Sequence, residues 1–133
     1  MHILLVNGSP IPVYGYGGTE RVIWDLGKTL VALGHRVSYL VPAGSTCDFA
    51  RVIAIDPARA WAEQIPTDVD LAHFQFNPRC EFERPCLLTE HGNARKTRPL
   101  PRNTVFVSRD HARRYGSDQY VLNGLDWSAS GPV

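Results

Sequence analysis

The strongest constraint on the fold is a series of short apolar runs that alternate with segments of helical spacing. The first run, residues 3–6, is apolar at every position and ends at Asn7 and Gly8. Runs of this kind are typical of strands buried on both faces, as in a parallel sheet. Further strands are predicted at 37–41, 51–55, 71–74, 87–89, 104–107 and 120–122. The pattern predicts an α/β fold, with a single Rossmann-like, doubly wound and mainly parallel sheet centred on residues 3–6.

The helical segments carry recognisable start and stop signals. Apolar residues between 22 and 33 recur at the spacing of one helix face. We expect Thr19 to cap this helix and Glu20 to lie in its first turn, where the helix dipole favours an acid. Gly34 follows at the position where a left-handed residue ends a helix. Shorter helices are predicted at 57–64 and 109–115.

Length and charge limit the class of protein. The chain has 133 residues, the size of one domain, and a formal net charge of +1. Without a run of Lys and Arg, a nucleic-acid partner is not expected. The N-terminal apolar run is too short for a signal peptide or a membrane span, so we expect a cytoplasmic protein. The three cysteines form no CxxC pair and are expected to be reduced thiols.

A glycine-rich loop joins the first strand to the first helix, and it includes Gly15, Gly17 and Gly18. Glycines here let a ligand approach the backbone, and the helix N-terminus offers free N–H groups to an anion or a hydroxyl. The alternative is a tight turn in which Gly17 or Gly18 needs a positive φ. The loop is not a dinucleotide fingerprint, because Glu20 stands in place of the third glycine, and it is not a Walker A loop.

His91 follows the predicted strand 87–89 and precedes Gly92. Ligands of a parallel sheet bind beyond the carboxyl ends of its strands, so His91 is expected at the crevice. It could exchange a hydrogen bond with a sugar hydroxyl or stabilise a developing charge, or it could simply be bonded to a backbone carbonyl. His73 and Glu90 could join it at a metal, but no HxH or HxxxH spacing supports a metal site.

The remaining histidines are expected to be structural or ordinary. His111 lies in the first turn of a short helix, where a structural role is expected, whereas His2 and His35 are expected to be partly exposed. The Asn-Gly turn at Asn123 follows the last predicted strand and belongs to the same rim as the glycine-rich loop and His91.

Several motifs in register carry a resemblance that extends from residue 1 to about residue 127. They are the segments GGTERV at 17–22, LGHRV at 33–37, TEHG at 89–92, VSR at 107–109 and NGLD at 123–126. This series resembles the N-terminal domain of glycosyltransferase family four, the retaining, nucleotide-sugar-dependent enzymes of GT-B fold. The resemblance implies that residues 1–133 are the Rossmann-like, acceptor-side domain, and that the C-terminal donor domain lies outside this sequence.

The resemblance also assigns roles to individual residues. His91 would face the transferred sugar and is the candidate catalytic residue. Substrate and donor contacts would come from the glycine-rich loop and helix start, from the residue before His91 and from the last turn, namely Gly17, Gly18, Thr19, Glu20, Glu90, Asn123 and Asp126. The family implies no metal and no cofactor other than the nucleotide-sugar, which is a co-substrate.

The implied function is transfer of a sugar from a nucleotide-sugar to a sugar or lipid acceptor once a donor-binding domain completes the site. The chain alone is expected to be inactive and to associate with a C-terminal-half subunit or with itself. One alternative is a non-catalytic module that binds an acceptor or a partner. Another is an unrelated flavodoxin-like nucleotide-binding domain, which the missing phosphate loop disfavours.

Overall fold

A computed structural model of the chain describes residues 1–12, 18–80, 82–91 and 103–122. The described residues form six strands, β1 (His2–Val6), β2 (Arg36–Val41), β3 (Arg51–Ala54), β4 (Leu71–Phe74), β5 (Cys86–Glu90) and β6 (Thr104–Phe106). They also form three helices, α1 (Gly18–Ala32), α2 (Trp61–Gln64) and α3 (Arg109–Arg114). None of these helices is both long and apolar enough to cross a bilayer.

All the strand pairs are parallel, and the strands lie in the order β3-β2-β1-β4-β5-β6. The chain therefore moves outward from β1 in one direction, returns to β4, and moves outward in the other direction. The point between β1 and β4 is where a doubly wound sheet opens a crevice beyond its carboxyl ends. The predicted parallel sheet with the first strand at its centre is confirmed.

The central strand β1 is buried on both faces because its side chains alternate between two apolar clusters. Leu4 and Val6 pack with Phe74 and Leu88 in one cluster. Ile3 and Leu5 belong to the other cluster, which includes the buried side of α1. Every residue of β1 is buried, which explains why its sequence shows no alternation of apolar and polar residues.

Helix α1 lies close to β2, with a glycine at the contact. The Tyr39 side chain is fully buried, and its hydroxyl donates to the backbone oxygen of Ile23 at 2.9 Å. A Cβ atom at Gly27 would lie 1.9 Å from that hydroxyl oxygen. The predicted stop at Gly34 is confirmed, since its φ is 93° and its N–H bonds the Val31 oxygen.

Three local predictions were wrong in detail. Helix α1 begins at Gly18, so Thr19 lies inside its first turn instead of capping it. Helix α2 begins at Trp61 instead of residue 57, because the Asp56 carboxylate accepts from the Ala58 N–H and holds a turn there. In place of a strand at 120–122, the described residues show a single bridge from Tyr120 to β6.

One histidine, His2, differs from expectation. His2 is buried instead of partly exposed, because β1 lies between β2 and β4. His35 is half-buried, and His111 is buried against the rings of Phe106 and Tyr115, in agreement with a structural role. The three cysteines form no disulfide.

Candidate functional site

Polar side chains follow the two strands that flank the switch point. Asn7 comes directly after β1, and Gln75 comes directly after β4. Each extends the parallel ladder by one bond, since the Asn7 N–H donates to the Leu40 oxygen at 3.2 Å and the Gln75 N–H donates to the Val6 oxygen at 3.0 Å. Both residues are buried. The backbone therefore fixes both residues at the base of the crevice.

His91 follows β5 and reaches back over β4. Its Nε2 atom lies 2.9 Å from Oε1 of Gln75, and the imidazole is half-buried. The amide Nε2 of Gln75 is buried and has no hydrogen-bond partner among the residues that the structure describes. A buried donor without a partner is costly, so a free amide group at this position suits a site that a ligand or water completes.

A second imidazole contact joins β4 to β5, two residues before Gln75 and His91 in each segment. His73 Nε2 is 2.7 Å from Thr89 Oγ1. Burial, and secondarily the neighbouring His91, lower the pKa of His73 to about 4. Burial also lowers the pKa of His91, against the opposing influence of the Glu90 and Glu20 carboxylates. Both imidazoles are therefore neutral at pH 7.

The groups that act electrostatically on His91 come from three elements that are far apart in the sequence. Glu20 in the first turn of α1 and Glu90 at the end of β5 both act on its pKa, as does His111 of α3. A neutral imidazole, an amide and two carboxylates can bind hydroxyl groups by accepting and donating hydrogen bonds. In the described parts of the chain, no group of three or more His, Cys, Asp or Glu side chains is placed to hold a metal ion.

The predicted site residues fall into three groups. Glu20, Glu90 and His91 are half-buried and close enough to interact electrostatically. Thr19 is half-buried in the same helical turn as Glu20. Gly18 is exposed in that turn with open space around a Cβ atom, and it does not take the positive φ considered for this loop. Gly17, Asn123 and Asp126 lie outside the described residues.

Sequence reasoning did not assign a role to Gln75. A signal was present, since Gln75 is the first polar residue after the predicted strand 71–74. Its contact with His91 depends on the order of β4 and β5 in the sheet, which the sequence pattern does not specify. The His73 pairing with Thr89 depends on the same neighbouring strands.

A Ser-His-Asp arrangement lies at the opposite, amino end of the sheet. His2 Nε2 is 2.7 Å from Ser38 Oγ, and His2 Nδ1 is 3.5 Å from Asp68 Oδ2. The order of contacts is that of a hydrolase triad. Ser38, however, is completely buried in β2, so its hydroxyl cannot meet a substrate. The cluster instead joins β1 to β2 and to the turn before β4.

These features define a doubly wound α/β domain whose switch point carries a neutral imidazole, a buried amide and two nearby acids. A scan against protein-family models finds no match, and a search of curated proteins finds none either.

Proposed function

We propose that this chain is the acceptor-side domain of a retaining, nucleotide-sugar-dependent glycosyltransferase. In this proposal it transfers a sugar from a nucleotide-sugar to an acceptor hydroxyl when a donor-binding domain completes the site. The observation that carries the proposal is the contact between His91 and the buried Gln75 at the carboxyl ends of the strands. The sequence resemblance supplies the reaction class, and the crevice supplies groups that suit hydroxyl ligands.

The chemistry available to the chain is hydrogen bonding to a sugar or acceptor hydroxyl. Because burial lowers the pKa of His91, its imidazole is uncharged at neutral pH and can exchange a hydrogen bond with a hydroxyl without a strong charge preference. Glu20 and Glu90 are acceptors for hydroxyl protons, and they disfavour an anion beside His91. The nucleotide-sugar is a co-substrate, and its diphosphate is expected to be held by the donor-binding domain.

The first test is an activity assay of the full chain with and without a donor-binding domain supplied as a second chain. Nucleotide release and sugar transfer would be measured with a panel of nucleotide-sugars and sugar or lipid acceptors. We expect transfer only in the combined sample. If no donor-binding partner and no nucleotide-sugar gives transfer, the proposal is wrong.

The second test assigns the site. His91→Ala should lower kcat/KM at least tenfold, about 1.4 kcal/mol of transition-state stabilisation, without preventing folding. His35→Ala is the matched control, because His35 is also half-buried but directly precedes β2, at the amino end of the sheet, where it contacts the N-terminal amino group. Equal specific activity of the folded His91→Ala protein and wild type would exclude a role for His91 in transfer.

A binding module without catalysis is the second candidate. The amide Nε2 of Gln75, which has no hydrogen-bond partner within the described ranges, favours this candidate, since a ligand that completes the hydrogen bond needs no second domain. Saturable carbohydrate binding by the chain alone, with no transfer under any donor, would select this alternative.

A further inference from the structure

Gln75 combines a fixed backbone with a side chain that is shielded from solvent. Its N–H donates to the Val6 oxygen at 3.0 Å, and only 7% of the residue is exposed. Burial limits the rotation of the side chain, so one defined atom of the amide faces His91. The atom it presents to His91 is the carbonyl oxygen Oε1, at 2.9 Å from Nε2.

An amide oxygen can only accept a hydrogen bond, so its partner must donate. In a neutral imidazole one ring nitrogen carries the proton and the other is an acceptor. We infer that Gln75 is a positioning residue that holds His91 in the tautomer protonated at Nε2, which leaves Nδ1 as the hydrogen-bond acceptor offered to a ligand. His73, in the strand that Gln75 follows, is the nearby imidazole that could compete for these hydrogen bonds, but its own Nε2 already contacts Thr89.

This tautomer determines which ligand group His91 can meet. An acceptor nitrogen binds a donor, such as a hydroxyl or an amine, and it does not donate to a carbonyl or phosphate oxygen. The acids that act on His91, Glu20 and Glu90, are also acceptors when ionised. The ligand group that meets Nδ1 is therefore a hydrogen-bond donor. Only the further statement that this donor is a substrate hydroxyl rests on the proposed function.

The imidazole must be neutral for a single tautomer to exist, and its surroundings meet that condition. Burial lowers the pKa of His91 more than its two neighbouring acids raise it, and the nearby His111 adds to the lowering. The groups that interact with it come from several elements: Glu20 from α1, Glu90 from β5, His111 from α3 and His73 from β4. At pH 7.5 the proton on the ring is therefore placed by the hydrogen bond to Gln75.

The test is a long-range ¹H–¹⁵N correlation spectrum of the full chain labelled with ¹⁵N-histidine, recorded at pH 7.5. His91 is expected to show Nε2 as the protonated nitrogen and Nδ1 as the unprotonated one. Assignment comes from the spectrum of His91→Gln. A wild-type ring protonated mainly at Nδ1 would overturn the inference without any need for a Gln75 variant.

Two variants separate positioning from a purely structural role. Gln75→Met keeps the length of the side chain but removes the acceptor, and it should move both His91 ¹⁵N resonances towards the average of the two tautomers. Gln75→Glu places a carboxylate at the same point and should raise the pKa of His91 by about one unit or more. Gln119→Met is the control, since Gln119 is exposed and bonds its neighbour Asp118.

The outcomes are distinguishable from those of the glycosyltransferase proposal. A tautomer that Gln75→Met disrupts supports the positioning role even if no sugar transfer is found. Unchanged His91 resonances in a folded Gln75→Met protein overturn the positioning role even if transfer is found.

Discussion

The contact between helix α1 and strand β2 yields the sharpest stability prediction. Gly27 is buried in the middle of α1, opposite the ring of Tyr39. Helix propensity alone favours Gly27→Ala, because alanine in a helix interior is more stable than glycine by about 1 kcal/mol. Packing predicts the opposite sign, since the new Cβ would lie 1.9 Å from the hydroxyl oxygen of Tyr39 and 2.7 Å from its Cζ.

The magnitude follows from what the tyrosine can do. Tyr39 is fully buried, and its hydroxyl donates to the Ile23 oxygen at 2.9 Å, so the ring cannot turn out into solvent. Overpacking a core by one methyl costs about 1–3 kcal/mol. Displacing the hydroxyl from its acceptor adds about 1–3 kcal/mol for a buried group left unpaired. After the gain in helix propensity, Gly27→Ala should lower the free energy of unfolding by about 3 kcal/mol.

Urea denaturation followed by tryptophan fluorescence measures this change. Gly18→Ala is the matched control, because Gly18 lies in the same helix with nothing within 4 Å of a Cβ atom. Because Gly18 is the first residue of the helix, the propensity of a helix interior does not apply to it, and the substitution should change the free energy of unfolding by less than about 0.5 kcal/mol. If Gly27→Ala is as stable as wild type or more stable, the packing argument is refuted.

Two further predictions concern the pH dependence and the loop before β4. Burial lowers the pKa of His73 to about 4 in the folded state, so the unfolded chain binds more protons between pH 6.5 and 4, and stability is lost as the pH falls through that window. In His73→Gln the urea midpoint should therefore depend less on pH over this range than in wild type, and an unchanged dependence would contradict the assignment. The Arg84 guanidinium donates to the carbonyl oxygens of residues 65, 66, 67 and 69, so Arg84→Met should lower the free energy of unfolding by about 2 kcal/mol, whereas the exposed Arg113→Met should change it little; equal urea midpoints for the two variants would count against this role.

The fold was predictable because its main signals are local. A strand buried on both faces reads as a continuous apolar run, and residues 3–6 of β1 form such a run. The strands β2 and β4 are mainly apolar, with Ser38 and His73 as interruptions, and turn residues follow all three strands. The end of α1 was equally clear, since Gly34 has the positive φ that its position requires. These features depend on a few neighbouring residues and not on distant parts of the chain.

The site was predictable only in outline, because its contacts cross the sheet. The rule that ligands bind at strand carboxyl ends was enough to select His91. Gln75 is 16 residues away in sequence, and it meets His91 only because β4 and β5 are neighbours. The burial of His2 has a similar origin, since its environment depends on which strands flank β1. A pattern of single residues does not contain this information.

The electrostatics of the crevice bear on which substrate groups each domain of the proposed two-domain transferase would bind. A nucleotide diphosphate needs positive charge, whereas the groups that act on the pKa of His91 in the described residues are two acids, Glu20 and Glu90, and one imidazole, His111. These carboxylates raise the cost of placing a phosphate beside the imidazole, and they favour hydroxyl protons at the same position. In the proposed enzyme this domain would therefore hold the hydroxyl-bearing part of the substrates. The charge of the diphosphate would be neutralised by residues that the donor-binding domain contributes.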